Sequence, residues 1–142
     1  GFKVYFDRDF KSVINNCAIA RRKEGDGTWI TKEMQEAYIK LHDAGFAHSV
    51  ETYLDDRLVG GLYGISLGKA FFGESMFHFE RDASKIALYS LVARMKEWGF
   101  HFIDVQQETD HLKSLGAENI PRTEFLELLK GALKFSTVKG KW

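Results

Sequence analysis

The chain has 142 residues, 20 basic and 20 acidic side chains, 44% hydrophobic residues and one cysteine. A neutral chain of this size can build one domain with a real core, but it has no global field drawing it to nucleic acid, so any RNA contact has to be local. The lone Cys17 excludes an internal disulfide and fits a reducing compartment; with no apolar run long enough to cross a bilayer and no basic-then-apolar leader, a cytoplasmic chain is expected. Gly1 stands in place of Met and Lys3-Val4-Tyr5-Phe6 follows at once, so we expect a piece of a longer chain that lacks something N-terminal.

In chain order, Phe2 to Phe6 reads as a strand. Asp7 or Asp9 then caps a helix running toward Ala20, with Phe10, Val13, Ile14 and Cys17 on one face. Arg21 to Gly27 is a charged loop containing glycines. Thr31 caps a second helix that carries Met34, Ala37, Tyr38 and Leu41 as its stripe and stops near Gly45. Ala47 to Leu54 and Leu58 to Leu67 are strands joined tightly through Asp55-Asp56-Arg57, and Gly68 turns the chain into a third strand, Ala70 to Phe79. Asp82 or Ser84 starts a helix with Ile86, Leu88, Leu91, Val92 and Met95 apolar and Gly99 at its end. His101 to Gln106 is a strand, Asp110 to Leu115 a short helix, and Arg122 to Phe135 a last helix after the only proline, Pro121. The expected class is α/β (α+β), one domain over residues 1–142, with a mostly antiparallel sheet flanked by helices. A meander followed by a helix and another strand resembles the acetyltransferase-like (GNAT) arrangement, which by itself fixes no chemistry.

Two strands carry polar groups on apolar backbones. Alternation puts Glu74 and Met76 on one face of their strand, and Asp104 and Gln106 on one face of theirs, with Ile103 and Val105 turned into a core. Such groups cost desolvation unless something pairs with them, which suggests a site. The plain alternative is that Asp104 and Gln106 end a strand and cap the next turn, and that Glu74 is an edge acid facing water. The five histidines have no paired ligand spacing, and Cys17 has no neighbour with which to make a metal site and lies on an apolar helix face.

A family resemblance rests on a series of words in fixed order. Gly27-Thr28-Trp29-Ile30-Thr31 precedes Ala37-Tyr38 and Leu41-His42; then come Gly45-Phe46-Ala47-His48-Ser49-Val50-Glu51 and Leu58-Val59-Gly60-Gly61-Leu62-Tyr63-Gly64. Phe72-Gly73-Glu74-Ser75-Met76-Phe77, Asp82-Ala83-Ser84-Lys85, Ile103-Asp104-Val105-Gln106, His111-Leu112 and Ser114-Leu115-Gly116-Ala117 follow. From about Cys17 to Phe125 the chain resembles the bacterial leucyl/phenylalanyl-tRNA–protein transferases. The resemblance implies transfer of Leu or Phe from Leu-tRNA or Phe-tRNA to the α-amino group of a protein's N-terminal Arg or Lys, marking it for N-end-rule degradation. It implies no metal or diffusible cofactor, and it marks the chain as the C-terminal catalytic domain without the family's smaller N-terminal domain. A monomer with no membrane partner is expected.

Under this resemblance Asp104 and Gln106 are the catalytic pair. An amide is not basic, so Gln106 accepts a hydrogen bond from the attacking amine, while Asp104 stabilises positive charge on nitrogen or relays its proton. Glu74 binds either the aminoacyl-adenosine end or the acceptor's cationic side chain. Leu62, Phe71, Met76, Leu88, Leu91 and Met95 form the donor's apolar pocket, with Leu91 and Met95 standing where larger aromatics occur elsewhere in the family; each of the six reads equally well as ordinary core. Trp29 stacks on the terminal adenine or else staples the start of its helix. Arg21, Arg22 and Lys23 offer weak phosphate contacts, as do Lys130, Lys134, Lys139 and Lys141, and such binding would be salt-sensitive. Two other functions compete: a CoA-dependent N-acetyltransferase, opposed by the acidic, glycine-free turn Glu80-Arg81-Asp82-Ala83-Ser84, and a non-catalytic module that binds aminoacyl ends or degradation signals.

Overall fold

The alternation of short apolar strands with amphipathic helices folds into a five-stranded sheet of order β1-β2-β3-β4-β5. The computed structural model describes residues 1–23, 30–105 and 116–142, with every side chain among them except that of Arg22. The strands are β1 (Phe2–Phe6), β2 (Ala47–Leu54), β3 (Arg57–Leu67), β4 (Ala70–His78) and β5 (Phe102–Asp104); the helices are α1 (Phe10–Lys23), α2 (Lys32–Asp43), α3 (Ala83–Glu97) and α4 (Arg122–Ala132). All ladders are antiparallel except β4 with β5, which is parallel because α3 carries the chain back across the sheet before β5 begins.

Local chemistry explains most of these boundaries. Asp55 and Asp56 both adopt positive φ (50° and 65°), giving the two-residue hairpin turn between β2 and β3 whose twist matches the strands. The Thr31 hydroxyl accepts from the Met34 N–H at 3.2 Å and caps α2 as expected. Asp82 precedes α3 but makes no side-chain cap. Helix α1 runs to Lys23 rather than ending near Ala20, so Arg21 lies in its last turn and not in a loop. Arg and Lys are good helix formers and are favoured at a helix C-terminus. β5 is shorter than the expected strand, and α4 stops at Ala132 rather than Phe135. The expected short helix Asp110 to Leu115 lies outside the described residues.

Two cores form, one on each side of the sheet. Phe10, Val13, Ile14, Cys17 and Ala18 of α1 pack with Tyr63 and Phe77, and Tyr38, Ile39 and Leu41 of α2 close over them. On the other side Ala87, Leu88, Leu91 and Met95 of α3 pack on Val50, Leu62 and Phe71. Gly68, at φ 56°, turns the chain between β3 and β4 where a Cβ would run into the Ala132 carbonyl, so the end of α4 closes against this turn only because no side chain is present. Trp142 packs at the edge of the second core, its ring stacked on His48 at 3.6 Å and its backbone N–H donating to Asp7 Oδ2 at 2.7 Å.

Candidate active site

The site grows from an incomplete ladder. β4 and β5 pair only over Ala70↔Phe102, Phe71↔Ile103 and Phe72↔Asp104. Beyond Phe72, β4 continues to His78 with β3 on one edge and, among the described residues, no strand on the other. The result is a notch between two parallel strands. Ile103 packs into the α3-side core, and alternation therefore puts Asp104 on the α1–α2 side, beside Phe72.

A β-bulge decides what faces the notch. Tyr63 pairs with Ser75 and Gly64 with Gly73, so Glu74 is an extra residue that no residue of β3 opposes. Strict alternation would place Glu74 and Met76 on one face; the bulge instead sends them to opposite faces. Met76 pairs with Leu62 on the α3 side. Glu74 turns to the α1–α2 side, where it accepts a hydrogen bond from the Tyr38 hydroxyl. Tyr38 is pushed up to about 12, first by burial and then by the charge and hydrogen bond of Glu74, so it stays protonated and donates. Glu74 thus shares a face with Asp104 rather than with Met76. Arg21 reaches the same spot from α1: its Nε donates to Ser75 Oγ at 3.2 Å and its Nη2 to the Glu74 carbonyl at 3.0 Å.

The opposite face is apolar. Leu62, Phe71, Leu88, Leu91 and Met95 belong to one buried cluster, and half-buried Met76 packs against it. All six expected pocket residues therefore meet, although five of them are closed over as core. Next to the cluster opens a cleft of about 940 Å³ of mixed character, where Leu88 and Val92 of α3 and Phe125 and Leu128 of α4 stand with Lys96, Asp104 and Arg122.

The sequence matches the family model described as leucyl/phenylalanyl-tRNA protein transferase over residues 1–130. The chain belongs to that family. A leucyl/phenylalanyl-tRNA–protein transferase of Thermodesulfovibrio yellowstonii is 55% identical over 141 residues, covering 99% of this chain and 58% of the relative. One of Myxococcus xanthus is 53% identical over 141 residues, covering 99% and 60% respectively. The chain thus spans less than two thirds of the length of these relatives. Among solved structures it is similar to an aminoglycoside acetyltransferase from an uncultured soil metagenomic sample, solved with sisomicin (TM-score 0.60, 15% identity, 84% of this chain and 91% of that one). It is also similar to a Clostridium acetobutylicum protein described as a predicted acetyltransferase and solved with acetyl-CoA (TM-score 0.63, 12% identity, 86% and 93%). At such identities the likeness establishes the fold, a GNAT-type α/β domain.

Gln106 and Trp29 lie outside the described residues, and so does the side chain of Arg22. Lys23 is exposed at the end of α1, while Arg21 turns inward to β4. Tyr38 was not singled out as a site residue by sequence reasoning; its place on the apolar stripe of α2 gave a core reading, and only the phenol at the end of that stripe hints at a polar partner. Cys17 is fully buried and pushed up to about 12 by that burial, so it is no nucleophile. Among the described residues no group of three His, Cys, Asp or Glu side chains could hold a metal ion, and no helix is long and apolar enough to cross a membrane.

Proposed function

We propose that this chain transfers leucine or phenylalanine from the 3′ end of aminoacyl-tRNA to the α-amino group of proteins that begin with Arg or Lys, marking them for N-end-rule degradation. The observation that carries this reading is the notch beyond Phe72, with carboxylates on one side of the sheet and an apolar cluster on the other. The donor's ester lies in the notch with its Leu or Phe side chain directed to Met76, Leu62 and the α3 cluster. The acceptor approaches from the α1–α2 side, where Glu74 and Asp104 attract its cationic side chain. This choice for Glu74 follows from its sharing a face with Asp104.

The reaction asks little of the protein beyond placement. The acceptor amine, with an unperturbed pKa near ~8, is partly neutral at cellular pH. Its nitrogen attacks the ester carbonyl, a C–N bond forms, the C–O bond to the ribose breaks, and the proton leaving nitrogen ends on the ribose oxygen. Holding the two at attack distance supplies on the order of several kcal/mol. Gln106 orients the amine by accepting one of its N–H bonds, and Asp104 steadies the charge that develops on nitrogen. No cofactor is required by this chemistry. The chain works as a cytoplasmic monomer in this reading, with Arg22, Lys23 and Trp29 kept for the tRNA end; Arg21, turned inward to β4, is withdrawn from that role.

An acetyl-CoA reaction is the less favoured reading. Its pyrophosphate would sit at the start of α3, where Glu80 and Asp82 are acidic and Ala83 is fully buried against the sheet. A mass-spectrometric assay separates the two: the chain with Leu-tRNA or Phe-tRNA and a peptide beginning with Arg, beside an acetyl-CoA arm. Addition of Leu or Phe, lost in Asp104→Ala, supports the proposal, and acetylation overturns it. Binding of a donor analogue without any turnover would mark a binding module.

A further inference from the structure

The last turn of α1 carries a cation beside a site proposed to bind another cation. The Arg21 guanidinium contacts the Glu74 carbonyl and Ser75 Oγ, while the Glu74 carboxylate, on the same residue, meets Tyr38. Its charge opposes the rise that Glu74 and burial impose on Tyr38. A guanidinium here weakens the local attraction for a cationic ligand, and half-burying it costs desolvation. Its geometry offsets that cost. The Nε and Nη2 hydrogen bonds both end on the bulge, one on the side chain after the extra residue and one on the backbone of the extra residue itself. A bulge leaves its extra residue outside the ladder, so its orientation has to be fixed by something else.

We propose that Arg21 is a positioning residue for the acceptor: it locks the β4 bulge so that the Glu74 carboxylate faces the acceptor's side of the notch, and it acts on the acceptor only through Glu74. This rests on the transfer reading given above. Arg21 contributes nothing to donor binding, which uses the opposite face of the sheet, and it takes no part in the chemical step. The charged donor makes its bonds stronger than neutral ones, and the two-pronged guanidinium can hold both acceptors in one plane, which an ammonium cannot.

The experiment is steady-state transfer from Phe-tRNA to an Arg-initiated peptide, together with calorimetric binding of a hydrolysis-resistant phenylalanyl-adenosine amide. The variants are Arg21→Met, Arg21→Lys, Ser75→Ala, Glu74→Gln and the double variant Arg21→Met/Glu74→Gln. For Arg21→Met the expected result is a rise in peptide KM of about tenfold, the scale of one lost charge-assisted hydrogen bond. Its kcat stays within about twofold of the parent and its donor-analogue Kd is unchanged. Arg21→Lys recovers part of the loss, Ser75→Ala shows a smaller loss of the same kind, and the double variant is no worse than Glu74→Gln alone. Additive losses, a peptide KM that falls, or a weakened donor analogue would each overturn the proposal. If the parent chain transfers nothing, the transfer reading fails on its own account. Amide hydrogen exchange then still tests the hold on the bulge: Ser75 and Met76 should exchange faster in Arg21→Met while α3 keeps its protection, and unchanged exchange would overturn it.

Discussion

Glu51 is a fully buried carboxylate, and removing it tests how the start of α1 is held. Three donors converge on it: the Arg8 N–H at 3.2 Å, the Asp9 N–H at 3.1 Å and the Ser49 hydroxyl. The two backbone groups lie just before α1, whose first turn Asp9 caps locally by accepting from the Ser12 N–H at 3.2 Å, so Glu51 adds from β2 the acceptors for the donors that precede the helix. Glu51→Ala orphans all three, at about 1 kcal/mol each, for a loss of about 3 kcal/mol. For a domain of this size that lowers Tm by about 10 °C. Glu51→Gln keeps the volume and one acceptor oxygen but turns an amide N–H₂ toward a backbone donor, and should lose about half as much.

The pH dependence is specific to this group. Burial raises the Glu51 pKa, against the lowering effects of Ser49, Asp9 and Arg8. The folded state therefore holds the proton more tightly than the unfolded one. The group's contribution is full below the ordinary carboxyl value and is lost as pH rises through the raised value. Urea unfolding followed by tryptophan fluorescence, at steps from about pH 4 to about pH 8, reads the gap between parent and Glu51→Gln across the carboxyl range. The gap should be widest at the acid end and narrow as pH rises. A gap that widens with pH, or a Glu51→Ala loss under about 1 kcal/mol, would refute the reasoning.

Three further outcomes are expected. In Gly60→Ala the added methyl would lie 2.5 Å from the Ala83 Cβ and 2.9 Å from its carbonyl carbon, forcing the start of α3 off the sheet; urea melts should show a loss of about 1–3 kcal/mol. Cys17 should resist iodoacetamide at neutral pH in the folded chain and react at once in denaturant, as mass spectrometry would report, because burial holds its thiol near 12. Asp104→Asn should lower kcat by about a hundredfold with donor-analogue binding intact, and near-normal turnover in both Asp104→Asn and Gln106→Ala would remove this pair from the mechanism.

Local chemistry made much of the fold legible. The bounds of β1 and β2, the Thr31 cap and the Asp55-Asp56 turn follow from near-neighbour preferences, and the structure has them as expected. The family, too, is written in words such as Phe72-Gly73-Glu74-Ser75-Met76-Phe77, and the model match bears it out. The six apolar pocket candidates were identified through that resemblance and do cluster, because helical spacing in α3 and alternation in β3 and β4 both aim at one core.

The bulge was not legible. One unopposed residue reverses every later side chain of β4, and that depends on the register with β3, which no run of β4 residues contains. Hence Glu74 joins Asp104 on one face and leaves Met76 on the other. The same holds for Arg21, whose place in a basic run reads as solvated surface until α1 extends to Lys23 and lays the side chain on β4. Sequence by itself determined the family, the class of fold and the elements, since these depend on residues close along the chain. Only the tertiary structure decided which face of the sheet each carboxylate takes, because that is set by pairing between strands and by a contact spanning 53 residues.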